Sequence, residues 1–437
     1  MDETHNPDRT SWVGSANAPG SDFPIQNLPF GVFRRRGSSD AARVGVAIGD
    51  QVFDLVAAEQ LAPALFDMHA AVLDACAHPT LYPLMAMGRA PLLALRTEIA
   101  KVLDSRNVAA SERLPTALVP MTDADMQLPT RIGDYTDFYA SIYHATNVGS
   151  MFRPDNALLP NYKYVPIGYH GRSSSIVPSG TPVKRPVGQR KGLTDDEPSV
   201  GTSRSLDYEC EVGVFIGAGN ALGTPIPLSQ AEQHMFGLCL VNDWSARDVQ
   251  SWEYQPLGPF LAKNFATTLS PWVVTLDALE PFRAPAFARP EGDPAPLPYL
   301  STPDNDARGG VAITLEVRLQ TALMRARGEV PVAVSKTSFT HMYWTLAQLV
   351  THHAMGGCNL RAGDLLASGT VSGPTKGERG CMLELTWRGA EPLVLPSGET
   401  RAFLEDGDLV ELAGWCEAPG ARRIGFGTAT GQVVGAP

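Results

Sequence analysis

Apolar positions along the chain follow two periods, and the places where the period changes divide it. Residues 44–48 (VGVAI) and 51–55 (QVFDL) are short apolar runs around Gly49-Asp50, a pattern that predicts a tight β-hairpin. Residues 91–103 switch to helical spacing, with Leu92, Leu95, Ile99, Val102 and Leu103 on one face and Pro91 at the start. Beyond Asp125, strand-like runs alternate with Gly/Pro punctuation as far as the C-terminus, as at 211–216 (EVGVFI) and 311–317 (VAITLEV). Residues 382–387 (MLELTW) alternate strictly, so a strand is expected there, with Glu384 on the face opposite Leu383, Leu385 and Trp387. One helix is expected in this half, over 338–355, with Trp344, Leu346, Leu349 and Val350 as its apolar side and Gly356-Gly357 as its stop. Residues 1–20 show neither period. Gly14, Ser15, Asn17, Pro19 and Gly20 lie among polar neighbours, and a disordered leader is expected. The proline-rich stretch 283–309 reads as a surface excursion. The division is thus a leader (1–20), a supporting unit with helices (21–128) and a strand-dominated unit (129–437). The fold class is mostly β, of the α+β type.

Composition narrows the classes. Gly (41) and Pro (36) are both plentiful among 437 residues, which argues against a helical bundle. The net charge of -11 argues against a nucleic-acid binder, which usually carries a basic face. No apolar run reaches the length of a membrane span, and the acidic N-terminus does not read as a signal peptide. The six cysteines form no CxxC pair. They are expected as reduced thiols in a cytosolic protein, with Cys210 and Cys239 as core filler.

The chemistry concentrates in four segments. In residues 207–216 (DYECEVGVFI), Glu209 and Glu211 are two apart on a predicted strand, so their side chains share a face roughly 7 Å apart. Two such charges repel. The pair is either a cation site or a solvent-facing edge, and the fragment alone leaves both open. Residues 133–147 combine Asp137, Tyr139 and His144. Residues 241–254 place Asp243, Arg247 and Gln250 among aromatics, and 258–267 set Lys263 in an apolar loop. His170, in a Gly-flanked turn, reads as structural, His352-His353 as a helix cap, and Arg34-Arg35-Arg36 as a solvated run.

These segments carry a resemblance. The stretches 132–149 (IGDYTDFYASIYHATNVG), 166–175 (PIGYHGRSSS), 242–265 (NDWSARDVQSWEYQPLGPFLAKNF) and 363–373 (GDLLASGTVSG) resemble the fumarylacetoacetase family. The likeness runs from DFPIQNLP at residue 22 to the final GFG at 425. It departs in the leader, in the 185–200 loop and in 283–309. It implies a small N-terminal SH3-like barrel, a C-terminal mixed β-roll, a homodimer, and hydrolysis of fumarylacetoacetate to fumarate and acetoacetate. By matched positions it implies Asp137, Glu209, Glu211 and Asp243 as ligands of a divalent metal, Ca²⁺ or Mg²⁺, with a second ion near Asp243, Lys263 and Thr267. It implies His144 as general base with Glu384 as its partner. Arg247, Gln250 and Lys263 would supply oxyanion donors. Substrate contacts would come from Tyr139, Arg153, Tyr169, Gln250, Tyr254 and Thr370. Oxygen-only ligands suit Ca²⁺ or Mg²⁺ over Zn²⁺. Two other readings share the carboxylates. One is a related acylpyruvate hydrolase or β-keto acid decarboxylase. The other is a non-catalytic, metal-stabilised binding module, which would need neither His144 nor Lys263.

Overall fold

The structure, a computed structural model, describes every residue except Leu193 and Pro437. Leu193, within the 185–200 loop, therefore lies outside the described residues; the flanking strands Val187–Arg190 and Ser199–Thr202 pair as a hairpin. The chain is a mixed α/β fold built on three main sheets. The N-terminal sheet has five antiparallel strands and contains the expected hairpin, Arg43–Ile48 with Gln51–Asp54. Five α-helices, the longest of them Arg89–Val102, lie between its third and fourth strands, so this part holds more helix than sheet.

A central mixed sheet follows. Its strands Tyr135–Phe138, Leu365–Ala367, Cys210–Ile216, Met235–Asp243 and Thr267–Leu269 are neighbours in that order. A second five-stranded sheet is built around Ile313–Gln320, Leu409–Cys416 and Ile424–Val434. The central sheet is covered on both faces. Cys210, Val212, Val214 and Ile216 pack with Leu315, Val317 and Leu412 of the C-terminal sheet. The alternate residues Phe215, Cys239, Val241 and Leu365 pack with Phe30, Val32 and Leu95 of the N-terminal unit. Double coverage explains why Cys210–Ile216 is buried at every position and reads as a continuous run.

Four expectations need correction. The leader is ordered: Thr4, His5 and Ala16 are buried, and His5 Nε2 lies 2.7 Å from the carbonyl of Asp277. Trp12 Nε1 donates to Val102 O at 2.9 Å, and the buried Arg96 guanidinium bonds Thr4. The leader is held by scattered polar bonds and by isolated apolar contacts at Trp12, Val13 and Ala16, which leave no apolar period in a sequence. The expected strand at 382–387 is instead the one-turn helix Met382–Leu385, followed by left-handed residues Trp387 and Arg388. All four helical residues are buried, so alternation there did not mark an in/out boundary. The expected helix over 338–355 begins only at Leu346, where Thr345 and Gln348 form a capping box. The preceding Val332–Ser338 is a strand paired with Ile313–Gln320. The 283–309 stretch is anchored rather than a bare excursion. It carries the helix Pro303–Arg308, and the Arg289 guanidinium lies 4.2 Å from the Tyr343 ring and 4.5 Å from that of Trp344.

Candidate active site

Strand register assembles the acidic cluster. Asp137 lies beside Ala367 in a parallel pairing, Cys210 opposite Asn242, and Asp243 opposite Thr267. Cys210–Ile216 and Met235–Asp243 run antiparallel, so the start of one meets the end of the other. Glu209, Glu211, Asp243 and Asp137 thereby converge at one end of the sheet. All four are buried, with one oxygen from each within 4.8 Å of the others. The solvent-facing-edge reading of Glu209 and Glu211 is excluded by this burial.

Among the described residues, two side-chain ammonium or guanidinium groups pair with these four. Lys263 Nζ lies 2.7 Å from Glu209 and 2.8 Å from Asp243; Arg247 Nη1 lies 2.6 Å from Glu209. Thr267 Oγ1 and Tyr169 Oη donate to Asp243 at 2.9 and 2.8 Å, and Ser245 donates to Glu209 at 3.1 Å. Asp137 and Glu211 share a single backbone donor, Gly369 N–H, at 3.0 and 3.2 Å. Only glycine suits that position: its φ is +76°, and a Cβ would sit 2.1 Å from Phe138 O. Glu211 Oε1 has no partner. Burial, and then the neighbouring carboxylates, push Glu211 and Asp137 well above the usual carboxylate range. Burial works against Glu209 ionising too, but Lys263 and Arg247 outweigh it and hold Glu209 low. An excess of buried negative charge with an orphaned oxygen fits a hard divalent cation. Asp137, Glu209, Glu211 and Asp243 could ligate it. Lys263 has its proton held on by Asp243 and Glu209 against the cost of burial. A protonated amine has no lone pair to give, so Lys263 stands as a counter-charge beside the site.

A second buried carboxylate is built differently. His144 sits on the helix Ile142–Phe152, whose N-cap Ser141 accepts from His144 N. Its Nδ1 lies 2.6 Å from Glu384 Oε2. Glu384 also accepts from Asn147 at 2.8 Å, Ser372 at 2.8 Å and the Cys381 thiol at 3.2 Å. Burial would raise its pKa. The charge and hydrogen bond of His144, with Asn147 and Ser372, outweigh that and hold it at about 2. An ionised carboxylate only accepts, so His144 Nδ1 carries the hydrogen and Nε2 is free to take one. Asn147, Ser372 and Cys381 were not singled out in the sequence. Asn147 had a signal, since it lies three positions from His144 and so on the same helix face.

A cavity of about 570 Å³ joins the two clusters; Asp137, Glu209, His144 and Lys263 all line it. So do Tyr139, Arg153, Tyr169, Arg247, Gln250, Tyr254 and Thr370, whereas Glu211, Asp243, Thr267 and Glu384 stand behind the wall. Three lining residues carry buried, unpartnered polar atoms: Arg153 Nε, Arg247 Nη2 and Thr370 Oγ1. The rest of the lining is largely apolar, with Phe138, Val148, Phe152, Leu158 and Leu257. His170 and His353 lie outside this cavity and both approach Thr136 Oγ1, at 3.4 and 2.9 Å. His352 Nδ1 lies 2.9 Å from Tyr299 Oη, so the polar contacts of this pair run sideways to neighbouring elements rather than to the end of their own helix.

Two family models match, Fumarylacetoacetase N-terminal over residues 26–129 and Fumarylacetoacetate (FAA) hydrolase C-terminal over 135–434. Curated fumarylacetoacetases from Homo sapiens, Caenorhabditis elegans and Arabidopsis thaliana are 48%, 50% and 46% identical to the chain. Each alignment covers 95% of this chain and 97% of the relative. Among solved structures, a Mycobacterium smegmatis protein provisionally assigned as HpcE shares the fold, with a TM-score of 0.51 at 19% identity. That match covers 93% of this chain and 99% of the other.

Proposed function

Because the chain belongs to the fumarylacetoacetase family, we propose that it hydrolyses the carbon–carbon bond of fumarylacetoacetate, giving fumarate and acetoacetate. The observation that carries the reading is one cavity lined both by a carboxylate cluster with an orphaned oxygen and by a histidine with a buried carboxylate partner. His144 Nε2 removes a proton from water, whose oxygen attacks the ketone carbonyl of the fumaryl group. Glu384 stabilises the imidazolium that forms. Arg247 Nη2, Gln250 and Lys263 face the oxyanion. The bond to the central methylene then breaks, its electron pair leaves on acetoacetate as the enolate, and the imidazolium returns the proton to that carbon. Arg153, beside Tyr139, receives a substrate carboxylate at the apolar end. Asp137, Glu209, Glu211 and Asp243 would hold a divalent cation, which when bound would supply neutralising positive charge to the substrate's oxygens.

Oxygen-only ligands favour Ca²⁺ or Mg²⁺, and Thr267 beside Asp243 and Lys263 suits a second, smaller ion. We read the N-terminal five-stranded sheet as an SH3-like barrel and the central and C-terminal sheets as a β-roll. We also assign the chain to a cytosolic homodimer. All six cysteines are unpaired, in keeping with a reducing compartment, and no helix among the described residues is long and apolar enough to cross a membrane. The test is the decay of the diketone's ultraviolet absorbance, with and without a chelator. Cation-loaded protein that leaves fumarylacetoacetate intact would overturn the reading, and chelator-insensitive turnover would remove the metal from it.

A further inference from the structure

Asp207 is a fully buried carboxylate to which the reaction above gives no part. Both its oxygens are fully engaged. Oδ1 accepts from Met382 N at 2.7 Å and Tyr208 N at 2.8 Å; Oδ2 accepts from Leu383 N and Arg247 Nε, each at 2.9 Å. Two of these donors open the one-turn helix Met382–Leu385, whose own N-cap residue, Cys381, offers it no side-chain bond. The first amide groups of a helix have no partner within it, and an acceptor there fixes how the turn enters. Asp207 reaches across 175 residues of sequence to do so, and that turn carries Glu384. Of the other two donors, one is the adjacent Tyr208 amide and the other is the remote Arg247. Its Nε goes to Asp207 and its Nη1 to Glu209 and Gln250, which leaves Nη2, buried and unpartnered, at the cavity wall.

We propose that Asp207 is a positioning residue that fixes the oxyanion donor Arg247 in register with the His144–Glu384 pair. One carboxylate grips both halves of the apparatus, so a single side chain ties the guanidinium directly to the turn that carries Glu384. Main-chain capping of a short turn tolerates no sliding, and misplacement by an ångström costs on the order of a hundredfold in rate. The inference rests on the functional reading above for its roles, though not for its geometry.

The test is Asp207→Asn in the cation-loaded full chain. The amide keeps the shape but turns an NH₂ toward a pair of groups that can only donate. The expected result is kcat lower by about ten- to a hundredfold with KM within about threefold. The cation-induced rise in Tm should persist. In a Glu384→Gln background the same substitution should cost far less, because both changes act through one pair. Strictly additive costs would overturn the proposal, as would wild-type kcat. A readout independent of substrate is the downfield NMR proton shared by His144 Nδ1 and Glu384, assigned by its loss in His144→Ala. It should move in Asp207→Asn, and an unmoved resonance would again overturn the proposal. If wild type fails to cleave fumarylacetoacetate, the functional reading falls while this resonance still decides the role of Asp207. Asp207→Glu, which keeps the charge and lengthens the arm, serves if the Asn variant does not fold. If neither variant folds, Asp207 acts in stability alone and the proposal fails.

Discussion

Glu384 and the cluster of Asp137, Glu209, Glu211 and Asp243 are equally buried acids flanking one cavity, yet their surroundings differ in kind. Glu384 draws on four donors for its two oxygens, from His144, Asn147, Ser372 and Cys381. The cluster has more charge and fewer donors per oxygen, down to the single shared N–H of Gly369 for Asp137 and Glu211. The same chemical group is thus a satisfied partner in one place and an unsatisfied ligand in the other. Geometry alone does not separate them, since His144, Cys381 and Glu384 also lie close enough to surround an ion. Donor supply does. Burial, then Glu384, hold the Cys381 thiol well above its usual pKa, so in the ion-free chain it keeps its proton and donates it to Glu384.

The strongest way to break this contrast is His144→Ala. It should lower kcat by about a hundred- to ten-thousandfold, the usual cost of losing a general base. The cation-induced Tm rise should be untouched, because the cluster does not use His144. Steady-state kinetics and thermal melts decide it together. A variant that keeps a quarter of wild-type kcat would place the base elsewhere.

Glu384→Gln should follow in size. Loss of the imidazolium stabiliser lowers kcat and moves the acidic limb of the pH–rate profile to lower pH. Stability supplies a second reading. Glu384 is depressed from an ordinary 4.5 to about 2 in the folded chain, so it favours folding above pH 4.5 and that contribution fades as pH falls toward 2. Acid unfolding of Glu384→Gln should therefore begin from a lower stability and slope less over that window. An unchanged profile with full activity would place Glu384 outside the pair.

The sequence displayed the cluster better than the pair. Glu209 and Glu211 lead into a short continuous apolar run that reads as a strand, so their shared face follows from the alternation of strand side chains. Asp137 and Asp243 join them only through strand pairing between distant segments, which spacing alone does not contain; the family resemblance supplied them. The turn bearing Glu384 reads as a strand in sequence and folds as a helix, because six alternating residues fit either state. What decides it is the cap from Asp207, a contact invisible to local pattern. The leader lacks a legible period for a related reason. Its fixings are mostly single polar bonds to remote groups, such as His5 to the Asp277 carbonyl and Arg9 to Asp104. Long apolar periods were legible, and features held by isolated long-range hydrogen bonds were not.

The cluster has its own signature, opposite in sign to that of Glu384. With the ion removed by chelation, Asp137 and Glu211 sit well above their ordinary pKa values, so the folded chain binds protons that the unfolded chain has released. Ion-free protein should lose stability as pH rises from the ordinary carboxylate range through those raised values. Glu211→Gln removes one of the charges and should flatten that decline. It should also shrink the Tm rise on adding Ca²⁺ or Mg²⁺, since an anionic oxygen ligand is gone. Melts across pH in chelator and in excess cation measure both. Wild-type melts that ignore cation addition from a verified ion-free state would mean that the cluster holds no metal.

The smallest expected effect comes from Cys381→Ser, and it isolates the claim that donor supply separates the two sites. Serine keeps a donor at the same place, and its hydroxyl is a better one than the thiol. Glu384 should therefore stay satisfied, with stability changing by about 1 kcal/mol or less and kcat nearly unchanged. Were His144, Cys381 and Glu384 instead a metal centre, the thiolate would be its softest ligand. Its replacement by an alcohol would then weaken binding of a thiophilic ion such as Zn²⁺ sharply. Titrating wild type and Cys381→Ser with Zn²⁺ and with Ca²⁺, and reading Tm, distinguishes the cases. Equal shifts for both proteins leave Glu384 as the partner of His144. A Zn²⁺ shift present in wild type and lost in the variant would put a metal where a hydrogen-bonded pair has been assigned.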